Sequence, residues 1–404
     1  MHVSSLLAGP ICSAGLASAT RTKPPTSYLD WKTFQGDGVN LGGWLIQEPF
    51  IDTAWWSTHC GADVADEWTC CANLGDQCGP VFEQRYATWF TTADIDVLAA
   101  AGLRVLRIPT TYQAWIDLPG SALHHGQQRA RLREVATHAV TTHGMHVVLD
   151  LHGLPGGVNN QTIGERVGGL DWWYNETALA WSLKTVDAVL DFIQQSGSPQ
   201  AFSLEPVNEP MDNPDDIGLP SALSDEAADW LLKYYHAVLD RVAAVNPQIP
   251  VMLNDGFKGP AYFAGNFTAD QNIVFDVHYY YFNGRPAGSN NVTEMICADA
   301  RGAADADDGN TFPVFTGEWA IETMYNNSLD ARKDILNAGL AAFGKHTKGS
   351  AYWTGKVVSN EAVAGQGRSR TTGATRACWS WAWSIRSLLR GSVIRIASYQ
   401  EVIH

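Results

Sequence analysis

The chain has 404 residues, 45% hydrophobic and 17% charged, which is enough apolar material for a sizeable core and unlike the composition of a disordered chain. Its formal charge of −15 argues against nucleic acid as a partner, because phosphate binding needs clustered Lys and Arg. No apolar run approaches the roughly 18 residues of a membrane span, so no membrane partner is expected.

Residues 1–20 form a short apolar stretch ending in Ala-Ser-Ala, read as a signal peptide despite a weak positive n-region. Sequons at Asn160, Asn175, Asn266, Asn291 and Asn326 point the same way, towards a secreted glycoprotein. Of seven cysteines, four crowd into 60–78. A zinc site is one reading, but the spacing is not that of two C-x-x-C pairs, and disulfides suit a secreted chain better. Most of the 16 Trp are expected in the core; stacking of an indole on a sugar ring is the other common use.

Between 38 and 356, short apolar segments alternate with helix-length stretches. The expected strands are 38–45, 104–110, 146–152, 202–208, 250–255, 273–280, 313–319 and 350–356. An intervening segment such as 226–245 places Leu231, Leu232, Tyr235, Leu239 and Val242 at helical spacing. Eight buried strands alternating with helices predict an α/β fold, a single (β/α)8 TIM barrel over 25–356, although a large open parallel sheet would read similarly. Long inserts after the first strand (46–90) and the third (153–180) are expected to shape a pocket.

Polar residues recur at the C-terminal ends of these strands, where a barrel keeps its chemistry. They are Glu48, Arg107, Asp150 with His152, Asn208-Glu209, His278 with Tyr280, Glu318 and Trp353. Singly, each reads as a core ion pair or a satisfied polar group; as a set at one end of eight strands they mark a site. Two carboxyl groups across a barrel mouth suit glycosidic bond cleavage, with Glu209 as acid/base and Glu318 as nucleophile, about 5 Å apart if configuration is retained. The acid is expected to have a raised pKa. Arg107 and Tyr280 are expected to keep Glu318 ionised, and Asn208 to donate to a sugar hydroxyl. Such chemistry needs no metal and no cofactor. His124-His125 and His143/His146 lack the spacing of a metallohydrolase.

The ordered set GVNLGGWLIQEPF (38–50), RVLRIP (104–109), VVLDLHG (147–153), VNEP (207–210), HYY (278–280), TGEW (316–319) and YWTGK (352–356) resembles the fungal exo-β-1,3-glucanases of glycoside hydrolase family five. The resemblance implies a retaining β-glucosidase acting on a β-glucan or β-glucoside, with Glu209 as acid/base and Glu318 as nucleophile. It implies that Glu48, Arg107, His152, His278, Tyr280 and Trp353 surround the terminal sugar. The loop after the third strand reads DLHGLPGGVNN in place of the family's DLHGAPGSQNG, and the cysteine-rich insert is atypical. These departures keep open a diglycosidase of the rutinosidase kind, or a β-1,6-glucanase. A non-catalytic cell-wall sugar-binding barrel is the alternative from another class. Residues 357–404, basic in an acidic chain, read either as a genuine tail or as a gene-model artefact, with 382–404 expected to pack poorly. A monomer is the default expectation.

Overall fold

The computed structural model describes residues 24–282, 291–305, 311–324 and 326–358. The expected signal peptide and nearly all of the basic C-terminal segment lie outside them. Eight parallel strands close into a barrel in sequence order: β1 (Gly38–Asn40), β2 (Val105–Thr111), β3 (His146–Gly153), β4 (Phe202–Glu205), β5 (Val251–Asn254), β6 (Ile273–Tyr281), β7 (Val314–Thr323) and β8 (Ser350–Tyr352). Every expected strand is present. β1 stops at Asn40, well short of Leu45, because the chain turns through Gly43 at φ +64°.

The helices are α1 (Thr53–His59), α2 (Glu67–Leu74), α3 (Cys78–Thr88), α4 (Thr92–Ala100), α5 (Gln128–His143), α6 (Glu176–Gln194), α7 (Asp225–Val245), α8 (Pro260–Ala264), α9 (Val292–Asp305) and α10 (Leu329–His346). Local chemistry starts them. Asn175 and Ser224 cap α6 and α7 by accepting backbone N–H bonds, and Thr91 with Asp94 forms a capping box on α4. The inner stripe of α7 buries Leu231, Tyr234, Tyr235, Val238, Leu239 and Val242 against the barrel.

The barrel interior is filled. At the end where the strands enter, Trp31 plugs the opening over Val105, Val148, Met252, Val274 and Phe315, and its Nε1 donates to Ser203 Oγ at 3.1 Å. Towards the other end the interior turns polar, and strand register aligns the change. Asn40 lies beside Arg107, Asp150 beside Glu205, Asn254 beside Asp276 and His278 beside Glu318.

The first insert carries α1–α3 and two disulfides, Cys60–Cys70 and Cys71–Cys78. Its residues 66–68 reach to both sides. Asp66 Oδ2 accepts from Val167 N of the third-strand loop at 2.8 Å, Glu67 Oε2 accepts from Gln47 N at 2.7 Å, and Arg166 stacks over Trp68. The insert therefore braces the two loops that flank the barrel mouth.

Candidate active site

At the C-terminal ends of the strands opens a cavity of about 590 Å³. Glu48, His152, Glu209, His278, Tyr280, Glu318 and Trp353, all read from the sequence, line it. Apolar side chains form the outer wall, among them Phe50, Trp89, Ile163, Phe257 and Phe282.

Glu318 ends the inward face of β7, and both of its oxygens are held. Arg107 Nη1 donates to Oε1 at 2.6 Å and the Tyr280 hydroxyl donates to Oε2 at 2.6 Å. The residue before it must be small: a Cβ on Gly317 would lie 2.1 Å from Asp276 Oδ1. Glu209 follows β4 with its backbone at φ +42°, a left-handed conformation that costs energy in a non-glycine residue and is typical of functional sites. His278 Nδ1 lies 2.7 Å from Glu209 Oε1 and 3.6 Å from Glu318 Oε2. One oxygen of Glu209 and one of Glu318 lie within 4.8 Å of each other.

Beneath these groups is a layer in which sequence reasoning named Arg107, Asp150 and Asn208 but missed Glu205 and Asp276. Arg107 is fully buried, and its Nε and Nη2 grip the two oxygens of Glu205 at 2.7 and 2.8 Å. Nη2 also reaches Asp150 Oδ2 at 3.1 Å and Asn208 Oδ1 at 2.7 Å. Asp150 Oδ2 lies 2.6 Å from His152 Nδ1, and Asp276 Oδ2 lies 3.0 Å from His278 Nε2. Both histidines are thus oriented by a carboxylate two residues earlier on the same strand face. The repeated Asp-x-His in β3 and β6 was the signal available for Asp276; Glu205 looked like one charge inside an apolar run.

Arg107 partners Glu318 as expected, but it and Asn208 sit deeper than the other site residues. Neither lines the cavity; both are fully buried. The Asn208 carbonyl accepts from Arg107, and its amide lies 3.3 Å from His152 Nε2. They hold Glu318 and His152 from below through these bonds. His152 stacks almost parallel to Trp353, ring centroids 5.7 Å apart, and Gly42 makes room for that indole: a Cβ there would sit 2.9 Å from it.

Burial by itself would lower the pKa of His278, but the charges of Glu318 and Asp276 carry it well above the ordinary value. Burial would likewise raise Glu209, yet the hydrogen bond and charge of His278 hold it below the usual carboxylate value. The direction for Glu209 is opposite to the one expected of a lone acid, because His278 lies against it. Glu48 goes the other way. Burial, then the charges of Glu318 and Glu209, push it well above its ordinary value, and its Oε1 is buried with no hydrogen-bond partner among the described residues.

Two sets of donor atoms are close enough for an ion, Glu205/Asp276/His278 and Glu209/His278/Glu318. In both, the nitrogens of His278 are engaged by Asp276 and Glu209, and Arg107 already supplies a cation between Glu205 and Glu318. The positive charge of this site is built from side chains.

Residues 75–357 match the family model described as Cellulase (glycosyl hydrolase family 5). The chain belongs to glycosyl hydrolase family 5, and it is an O-glycosyl hydrolase. It is 31% identical over 316 residues to the Aspergillus niger protein named "Probable glucan 1,3-beta-glucosidase A", covering 78% of this chain and 71% of that one. The same-named protein of Aspergillus clavatus is 31% identical over 288 residues, and the match spans only 64% of its length. Among solved structures, the rutinosidase from Aspergillus niger superposes with a TM-score of 0.82 at 52% identity, over 85% of this chain and 96% of that one. The structure called AoRut superposes with a TM-score of 0.81 at 53% identity, over 85% and 94%. This family-five barrel is thus more similar in sequence to these two solved structures than to these glucosidase relatives.

Proposed function

We propose that this family-five hydrolase is a retaining β-glycosidase that releases a disaccharide from a glycoside, as a rutinosidase does. The observation that carries the retaining chemistry is the approach of Glu209 and Glu318 to within 4.8 Å. That separation suits direct attack by a carboxylate; an inverting pair stands roughly 6.5–9.5 Å apart to admit a water.

In this reading Glu318 attacks the anomeric carbon, and the bond from that carbon to the leaving oxygen breaks. Glu209 delivers a proton to that oxygen. Arg107 and Tyr280 hold both oxygens of Glu318 and aim it before attack. The proton comes from the Glu209–His278 pair, which holds it at 2.7 Å between Nδ1 and Oε1 and titrates as a unit. Glu209 then takes a proton from water, whose oxygen attacks the same carbon and frees Glu318. Glu48, with its unpartnered oxygen at the cavity wall, His152 and Trp353 receive the sugar.

The substrate class rests on the 52% identity over nearly the whole of a rutinosidase and on a cavity too large for a single pyranose. The second reading, exo-β-1,3-glucanase, is favoured by the glucan 1,3-beta-glucosidase relatives at 31% identity. Two disulfides support secretion, since such bonds persist outside reducing compartments; glycosylation at the five sequons belongs to the same proposal.

Sugar release from rutin and from laminarin, by wild type and Glu318→Gln, tests this. Rutinose from rutin, lost in the variant, supports the diglycosidase. Glucose from laminarin with rutin untouched moves the assignment to the glucanase. Activity surviving in Glu318→Gln overturns the assigned nucleophile.

A further inference from the structure

Far from the mouth, three side chains on two neighbouring outer helices converge on one point. Asp96 sits on α4, and His138 and His143 sit on the last turns of α5. Both imidazoles aim Nε2 at the same carboxylate oxygen. His138 Nε2 lies 2.6 Å and His143 Nε2 2.7 Å from Asp96 Oδ1, and all three donor atoms lie within 4.8 Å of one another. Here two donors crowd one oxygen while water reaches the other side, since the Asp96 side chain is 53% exposed and His138 25%. The rings are held edge to face at 5.3 Å, and His138 Nδ1 lies 3.4 Å from Thr142 Oγ1, which favours Nε2 facing the cluster.

We propose that Asp96, His138 and His143 form a solvent-open site for a divalent transition metal, with zinc as the ion it takes. Zinc prefers imidazole and carboxylate ligands at about 2.0–2.2 Å in a tetrahedron, so its ligand atoms stand roughly 3.3 Å apart. Opening the present cluster by about that difference needs only side-chain rotation, and solvent supplies the fourth ligand. The ion would take the Nε2 lone pairs, with any ring proton carried on Nδ1.

The site lies at the end of the barrel opposite the catalytic mouth, where features bear on stability. His143 leads into β3 through Gly144, and α4 packs beside α5. The ion would therefore staple the two helices and leave the chemistry at Glu209 and Glu318 alone.

The test uses full-length protein stripped by chelation, titrated with Zn²⁺ by calorimetry and melted with and without the ion. The variants are His138→Gln/His143→Gln and Asp96→Asn, neither of which touches the catalytic groups. Wild type is expected to bind one ion that the double variant binds ~100-fold or more weakly. At a hundred times the dissociation constant, zinc should raise the wild-type Tm by about 3 °C and leave the double variant unchanged. Metal-free hydrolysis should be equal in the two proteins. Should the double variant not fold, Asp96→Asn keeps the shape and the acceptor oxygen, and its binding should still weaken tenfold or more. Superimposable titrations of wild type and variants, or zinc binding abolished by Glu318→Gln alone, would overturn the site and leave a hydrogen-bonded bridge between helices.

Discussion

Replacing Glu67 by Gln should flatten the loss of stability that this protein suffers as pH rises. Glu67 is 2% exposed, and burial pushes its carboxyl from 4.5 up to about 8, against the opposing pull of the Gln47 N–H bond. A carboxyl whose folded pKa is raised stabilises the fold in its protonated form. That contribution is complete below the unfolded value near 4.5 and is lost as pH climbs through 8. Between pH 5 and pH 8 the lost stability amounts to about 3 kcal/mol, from a shift of this size at 1.36 kcal/mol per pH unit. Spread over a chain of this length, that is roughly 4 °C in Tm. The amide of Gln is isosteric and can still accept from Gln47 N, but it does not titrate. Melting of wild type and Glu67→Gln at pH 5 and pH 8 isolates the effect. Other raised groups, such as Asp255 at about 7, act equally on both proteins and cancel in the double difference. Equal pH slopes in the two proteins would refute the argument, by showing that Glu67 ionises in the fold at no cost.

Tyr280→Phe removes one charge-assisted hydrogen bond to Glu318 and should lower kcat/KM by a factor of about 10–150, the kinetic equivalent of 1.5–3 kcal/mol, with little change in Tm. Gly317→Ala drives a methyl group into Asp276, which sits on buried β6; the overpacking should cost about 1–3 kcal/mol in a denaturant titration, and the activity should fall with it. Asp66→Ala frees the third-strand loop from the disulfide insert. Steady-state kinetics should show KM for the disaccharide glycoside raised several-fold with kcat nearly kept, whereas equal loss in both constants would deny the insert a positioning role. Reduction of Cys60–Cys70, which closes ten residues, should remove about 3 kcal/mol of stability, read as a lower Tm under reductant.

The barrel was legible because buried parallel strands must read as apolar runs, and the site because polar groups interrupt those runs only at one end. Glu48, His152, Glu209, His278, Tyr280, Glu318 and Trp353 were found by that signal alone, and all reach one cavity. Arg107 and Asn208 were found by the same signal but lie a layer deeper, since position along a strand does not tell how far the barrel has narrowed. Glu205 and Asp276 escaped notice as single charges in apolar strands. The disulfide pairing of the four clustered cysteines was also beyond the sequence, because it depends on how α1, α2 and α3 stack.

The amino-acid order by itself determined the fold class and pointed to the two carboxylates, for these follow from periodicity and residue type at strand ends. Only the tertiary structure decided how charge is shared. Glu209 is drawn below the usual range because His278 lies against it, and the pKa of His278 is raised because Glu318 faces it from the neighbouring strand and Asp276 from two residues earlier on its own. The pairings of His278 with Glu209 and Glu318 join residues 69 and 40 positions apart in the chain, and Coulomb energy in a buried site depends on distance in space, which barrel closure sets.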